Sequence, residues 1–198
     1  MPHVSRATSF LALALCAGFA ASCGDPFTIR APFSTATDSF SIAALTRTPI
    51  SARSLWRIGG FSRYRLDSIA AAFDLGFDID AAGRVIVYPA RTIAVPPAGT
   101  PATPPLVGLQ LTAEPYATVD RAPEAGYRVD TALVVLRGQT VFVRSASDVC
   151  LTQNTGATLL YAKFVVDSVD VVKRNLIVRA TVQQSCNFRS FATGIPEF

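Results

Sequence analysis

The chain has 198 residues, half of them hydrophobic and 16% charged, with a formal net charge of +4 at pH 7. That balance excludes a disordered, highly charged chain, and the length suits one sizeable hydrophobic core better than two independent domains. The only histidine, His3, and the only methionine, Met1, sit at the very start. A chain trimmed of its first residues therefore lacks the imidazole needed for Ser-His-Asp or Cys-His catalysis, for histidine-ligated zinc and for blue copper.

Residues 1–22 follow the three-part plan of a secretory signal peptide: a short start with His3 and Arg6, the apolar run FLALALCAGFAA, then small residues. The run has no polar face at helical spacing, as a buried amphipathic helix would, and is too short to span a bilayer as a mature helix. At its end, AASC, Ala20–Cys23, resembles the lipobox of bacterial lipoproteins. In that family the cysteine takes a diacylglycerol on its sulfur, the preceding peptide is removed and the new N-terminus is acylated. The resemblance covers residues 1–23 only and implies a membrane anchor at Cys23. Ala21 and Ser22 match the family's small residues. Ala20 stands where a large aliphatic is usual, which keeps an ordinary signal-peptidase site as the competing reading. Cys16 is preceded by Leu15, too large for the position that wants Gly, Ala or Ser.

Of the four cysteines, Cys16 leaves with the signal and three remain, an odd number for an oxidising compartment. Cys150 and Cys186 are flanked by strand-like sequence and read as a disulfide pair, against the alternative of two buried thiols. Cys23 is then left for lipidation.

Residues 23–38 mix prolines with small polar residues and read as a flexible tether, with a single β domain over residues 39–198. SFSIAAL and SIAAAF are ambiguous between helix and strand. In AFDLGFDIDAAGRVIVY the apolar Phe73, Leu75, Phe77 and Ile79 alternate with Asp74, Gly76, Asp78 and Asp80, the period of a strand with one apolar face. Ala81, Ala82 and Gly83 form the turn, Gly83 supplying the positive φ, and Val85 and Val87 continue the face. Residues 94–105, AVPPAGTPATPP, exclude a central strand or helix. They read as a long loop within one sandwich, with a linker between two small β subdomains as the alternative. A second hairpin is expected in TALVVLRGQTVFVRS around Arg137 and Gly138. A third is expected in YAKFVVDSVDVVKRNLIVRATVQQSC. Its loop at Lys173, Arg174 and Asn175 would set Val172 opposite Leu176 and Val166 opposite Val182. Phe164, Val166, Val172, Leu176, Val178 and Val182 then share the core face, and Lys163, Asp167, Arg179, Thr181 and Gln183 meet water. Asp170 is a misfit on the apolar side.

Two constellations carry chemistry. Asp74, Asp78 and Asp80 form an acidic strip, and DIDAAG resembles half of a calcium loop. It lacks the third acid, distal glutamate and flanking helices of an EF-hand, so these are weak calcium candidates beside the reading of a solvated strand face. SARSLWRIGGFSRYRLDS interleaves arginine with aromatics and marks Trp56, Arg57, Arg63 and Tyr64 as a candidate binding surface. A basic ladder over a buried aromatic explains the same pattern without a ligand. Export argues against nucleic acid. The scattered Glu114, Glu124 and Glu197 and the lysines Lys163 and Lys173 offer no catalytic spacing.

The sequence thus leads us to expect an all-β fold, an antiparallel β-sandwich or partly open barrel built from hairpins, with no cofactor. The expected role is that of an exported, lipid-anchored binding or structural/assembly module in the bacterial cell envelope. Its domain would stand in the periplasm or at the cell surface, on the outer membrane by preference, with another envelope protein or a glycan as partner and no nucleic acid. The competing class is a carboxylate-based, histidine-independent hydrolase such as a glycosidase.

Overall fold

The computed structural model describes residues 30–68, 72–94, 98, 104–152 and 158–193. The signal segment, Cys23, the first part of the tether, part of SIAAAF and most of the Pro-rich segment lie outside them. Alternating apolar and polar residues give eleven strands among the described residues: β1 (Thr35–Ala43), β2 (Arg53–Arg57), β3 (Ser62–Arg65), β4 (Leu75–Ile79), β5 (Val85–Pro89), β6 (Val107–Thr112), β7 (Arg128–Val129), β8 (Leu133–Val135), β9 (Thr140–Ser145), β10 (Leu160–Asp170) and β11 (Asn175–Gln183). The described helical structure is one short helix, α1 (Asp148–Thr152), and a 3-10 turn at Ala90–Thr92.

The strands form two antiparallel sheets, one ordered β1-β11-β10-β9-β6-β7 and the other β3-β2-β4-β5-β8. They pack face to face as an all-β sandwich. One buried cluster fills the space between them, drawing Phe40, Trp56, Phe77 and Val87 from before the Pro-rich segment and Val107, Phe164, Val178 and Val182 from after it. At its centre the Trp56 ring lies 5.3 Å from Phe40, 6.1 Å from Phe164 and 6.5 Å from Phe77, so a single indole touches both sheets. SFSIAAL is strand as far as Ala43, and β1 begins at Thr35, inside the segment expected to be tether. β1 is a nine-residue edge; along it Asp38 accepts the Ser39 N–H at 2.8 Å, and Arg63 reaches the Ser41 carbonyl at 3.5 Å.

The first expected hairpin forms as β4 and β5, with Ile79 opposite Val85 and Gly83 at φ +77°. Phe73 departs from its face. The chain bends at Asp74, which turns Phe73 into a separate cluster with Leu55 and Ala90 on the outer side of the second sheet. The second expected hairpin does not form. β8 pairs with β5 in one sheet while β9 pairs with β6 and β10 in the other. The Arg137-Gly138 turn is therefore a corner that passes the chain between layers, and Gly138, at φ +81°, donates its N–H to Val166 O.

The third hairpin forms in a different register. Asp170 faces Asn175 and, beyond a bulge at Asp167, Val166 faces Val178 and Ala162 faces Val182. Asp170 accounts for the shift: its carboxylate accepts the Val172 and Lys173 N–H groups at 3.1 and 2.9 Å, and Arg174 takes φ +51°. The loop is thus Val171 to Arg174, and Val172 is 90% exposed instead of joining the core. The face expected to meet water is also covered. Residues 115–122 and 188–192 join through Ala122 N–H to Arg189 O and Phe191 N–H to Asp120 O and lie over it. Lys163, Thr181 and Gln183 are buried, while Asp167 and Arg179 remain outside as an ion pair at 2.9 Å.

Cys150 and Cys186 form a disulfide across a sequence separation of 36, closing the loop that carries β10 and β11. Chain-entropy reasoning for a loop of this size gives about 4 kcal/mol. The Cys150→Ala/Cys186→Ala chain is expected to lose about that much stability in urea unfolding; a loss below 1 kcal/mol would show that the bond closes nothing the core does not already close.

Candidate functional site

The four residues of the expected binding surface diverge. Trp56 is fully buried in the core, because the strand alternation that leaves Arg57 near the surface turns the indole inward. Arg63, opposite Trp56 in the register, sits at the rim with its guanidinium 5.4 Å above the Phe40 ring. Tyr64 packs on the other side with Leu55 and Phe73. Arg57 holds Asp148 of α1 with one nitrogen on both carboxylate oxygens, at 2.7 and 2.8 Å. Trp56 is therefore core, and Tyr64 is half-buried against the outer cluster.

The acidic strip is not a solvated face either, and its three members do not converge; among the described residues no group of three metal-ligating side chains does. Asp74, 2% exposed, turns inward at the bend. It accepts the Ile58 N–H at 2.8 Å and bonds the Ser145 hydroxyl of β9, which belongs to the opposite sheet. Burial pushes this carboxyl above the usual carboxylate range and nearby Asp148 adds to the effect. The hydrogen bonds from Ser145 and Ile58 and the charge of Arg57 oppose it.

At the far end of β4, Asp78 meets Arg174 from the β10–β11 loop, with 12% of each side chain exposed and 2.8 Å between them. The same guanidinium donates through Nη2 to Ile79 O at 2.6 Å and through Nε to Thr46 O at 2.7 Å, so these two nitrogens are held by fixed acceptors. Asp80 stays local, accepting the Ala82 and Arg84 N–H groups and pairing with the Arg84 side chain at 2.7 Å; these bonds hold its carboxyl below the usual range.

Lys163, expected in water, donates to Tyr116 O at 2.8 Å and to Val119 O, under the rings of Tyr116 at 4.5 Å and Phe191 at 5.5 Å. Burial draws its ammonium below the ordinary lysine range. Its partners are backbone carbonyls of the covering loop, so it fastens that loop to the sheet. Nothing in the local sequence signals this, since the loop lies 44 to 47 residues away.

The residues left with room around them line a cleft of about 300 Å³ on the outer side of the second sheet, between Leu45, Leu66 and Ile93, with Asp78 and Tyr88 as polar groups. Gly76 seats two of its walls: a Cβ there would stand 2.7 Å from Ile93 Cδ1 and 3.0 Å from Leu45 Cδ1, so only glycine lets both side chains settle against the sheet. Asp78 Oδ1 accepts from Thr46, Ile79 and Arg174, whereas Oδ2 accepts only the Thr46 hydroxyl. Burial, with the Asp78 charge, pushes the Tyr88 hydroxyl up and keeps it a proton donor. The cleft can take a small apolar body that bears one hydrogen-bonding group. A second cleft, about 190 Å³, lies at the opposite end between Phe33, Gly59, Val149 and Leu160.

Comparison with protein-family models, curated proteins and solved structures found no match. Among the described residues no helix is long and apolar enough to cross a membrane.

Two measurements check these assignments. Burial makes folded Asp74 bind its proton more tightly than the unfolded chain does. Its contribution is thus fully present below the unfolded carboxylate value of about 4 and is lost as pH rises through the raised folded value. Asp74→Asn, whose amide oxygen accepts the Ile58 N–H while its NH2 donates to the Ser145 hydroxyl, is expected to remove that decline from a stability–pH curve; an unchanged curve would assign the decline to another group. Arg174→Ala leaves Asp78 buried without its counter-charge and is expected to cost about 3–5 kcal/mol in urea unfolding, a cost that Asp78→Asn in the same chain partly restores.

Proposed function

We propose that the chain is an exported protein of a bacterial cell envelope, held to a membrane by lipid on Cys23, whose β-sandwich serves as a binding or assembly module. The observation that carries this reading is the closed Cys150–Cys186 bond. It takes up two of the three cysteines beyond the signal segment, and the third stands directly after the small residues Ala21 and Ser22. The domain stands in the periplasm or at the cell surface, on the outer membrane by preference, and its partner is another envelope protein or a glycan.

Within the acidic strip, Asp74 and Asp78 favour a binding role over a hydrolytic one. A glycosidase pair needs carboxyl groups about 5 to 9.5 Å apart around an open site. Asp74 and Asp78 are four residues apart along nearly extended chain, roughly 13 Å, and each is buried behind donors that complete the sandwich.

Intact mass of the protein purified from membranes tests the anchor. The expected mass is that of a chain beginning at Cys23 and carrying a diacylglyceryl group and an N-terminal acyl group, an increment that Cys23→Ser loses. An unmodified chain starting near residue 23 overturns the reading.

A further inference from the structure

Three turns meet at the end of the sandwich opposite the disulfide. Val85 faces Val135, which places Leu136 beside the β4–β5 turn. At that turn a Cβ on Gly83 would come 3.2 Å from Val171 Cγ1 of the β10–β11 loop. Gly138 donates to Val166 O, which sets the β8–β9 corner against the same hairpin. The apolar residues at this end are turned outward: Leu136 is 61% exposed, Val171 52% and Val172 90%. A soluble surface tolerates scattered exposed apolar side chains, but a group of them on one projecting tip marks an interaction site.

The tip is held rigidly. The Asp170 carboxylate caps the loop, Arg174 bolts it to Asp78 and Thr46 O, and Ala44 N–H donates to Arg174 O. Val172 is therefore presented at little entropic cost on binding. The charge around it is net positive: Arg84 pairs with Asp80 at 2.7 Å and Lys173 with Asp170 at 3.9 Å, while Arg47 and Arg137 are exposed beyond those pairs.

We propose that this tip docks into the interface of a bilayer with anionic headgroups, Val171, Val172 and Leu136 entering the acyl boundary and Arg137, Lys173 and Arg47 resting on the phosphates. Apolar side chains carried on turns, Val172 at 90% exposure, can each sink between headgroups of a deformable bilayer, and basic residues at the surface add attraction to anionic lipid. The docking extends the membrane-held reading but does not need acylation at Cys23.

The test uses the full chain with Cys16→Ser and Cys23→Ser and an environment-sensitive nitrobenzoxadiazole label at Val172→Cys. A parallel chain carries the label at Ser39→Cys, halfway along β1. Val172 is exposed, so the label leaves the core intact, and unfolding curves of both chains check this. With vesicles of phosphatidylcholine holding 30% phosphatidylglycerol, the label at 172 is expected to brighten and shift to the blue while that at 39 stays unchanged. Arg137→Glu/Lys173→Glu should raise the lipid needed for half the change at least tenfold. Four outcomes overturn the proposal: unchanged emission at 172 while the protein floats with the vesicles; equal changes at 172 and 39; the same response to phosphatidylcholine alone; or a shift on raising protein concentration without lipid, which would make the tip a contact between copies of the chain. None depends on lipidation, so failure here and failure at Cys23 are separable.

Discussion

The two sheets share no strand, so the way one lies over the other rests on what crosses the gap, and β4 carries the polar part of that crossing. Asp74 before the strand binds Ser145 of β9, and Asp78 near its end binds Arg174 of the β10–β11 loop. Apolar packing around Trp56 supplies most of the attraction, but it is non-directional and would tolerate small slides of one layer on the other. Two directional ties at opposite ends of one strand remove that freedom. Their desolvation is costly and is offset by hydrogen bonds: Asp74 accepts from Ile58 and Ser145, and Asp78 from Thr46, Ile79 and Arg174. The fold spends its polar chemistry on alignment.

How much of this was legible in the chain depends on the distance over which each feature is determined. The β4–β5 turn is set within a few residues, by Asp80, Gly83 and the alternation around them, and it forms as read. The disulfide was legible because Cys150 and Cys186, flanked by strand-like sequence, read as partners once export is expected. The β8–β9 segment looked like the same kind of hairpin and is not one, because two β-branched runs about a glycine turn carry no sign of which sheet each will join. The register of β10 on β11 was missed for a local reason that could have been found: an aspartate two and three residues before backbone N–H groups is a loop-capping signal, and it moves the loop to Val171. Lys163 was illegible in a stronger sense, since the loop that buries it comes from elsewhere in the chain.

The candidate surface around Trp56 shows why an aromatic-arginine pattern is ambiguous. On a strand, neighbouring residues face opposite ways, so an interleaved pattern separates the two kinds of side chain instead of joining them. What the structure leaves open is elsewhere: a cleft walled by Leu45 and Ile93, which settle over Gly76, and a tip whose Val172 is kept out of the core by one carboxylate. Neither lies in the stretches of sequence with the most suggestive composition.

The long edge of β1 has a further bearing on how copies of the chain behave when concentrated. Where molecules meet at high local density, an unpaired strand edge is a template for adding the next copy. The other edges are short, at two to four residues. On β1 the Ser39 amide is already taken by the side chain beside it and the Ser41 carbonyl is shielded by Arg63. An edge that answers its own hydrogen-bonding groups lets neighbouring copies crowd together without zipping into a continuous sheet.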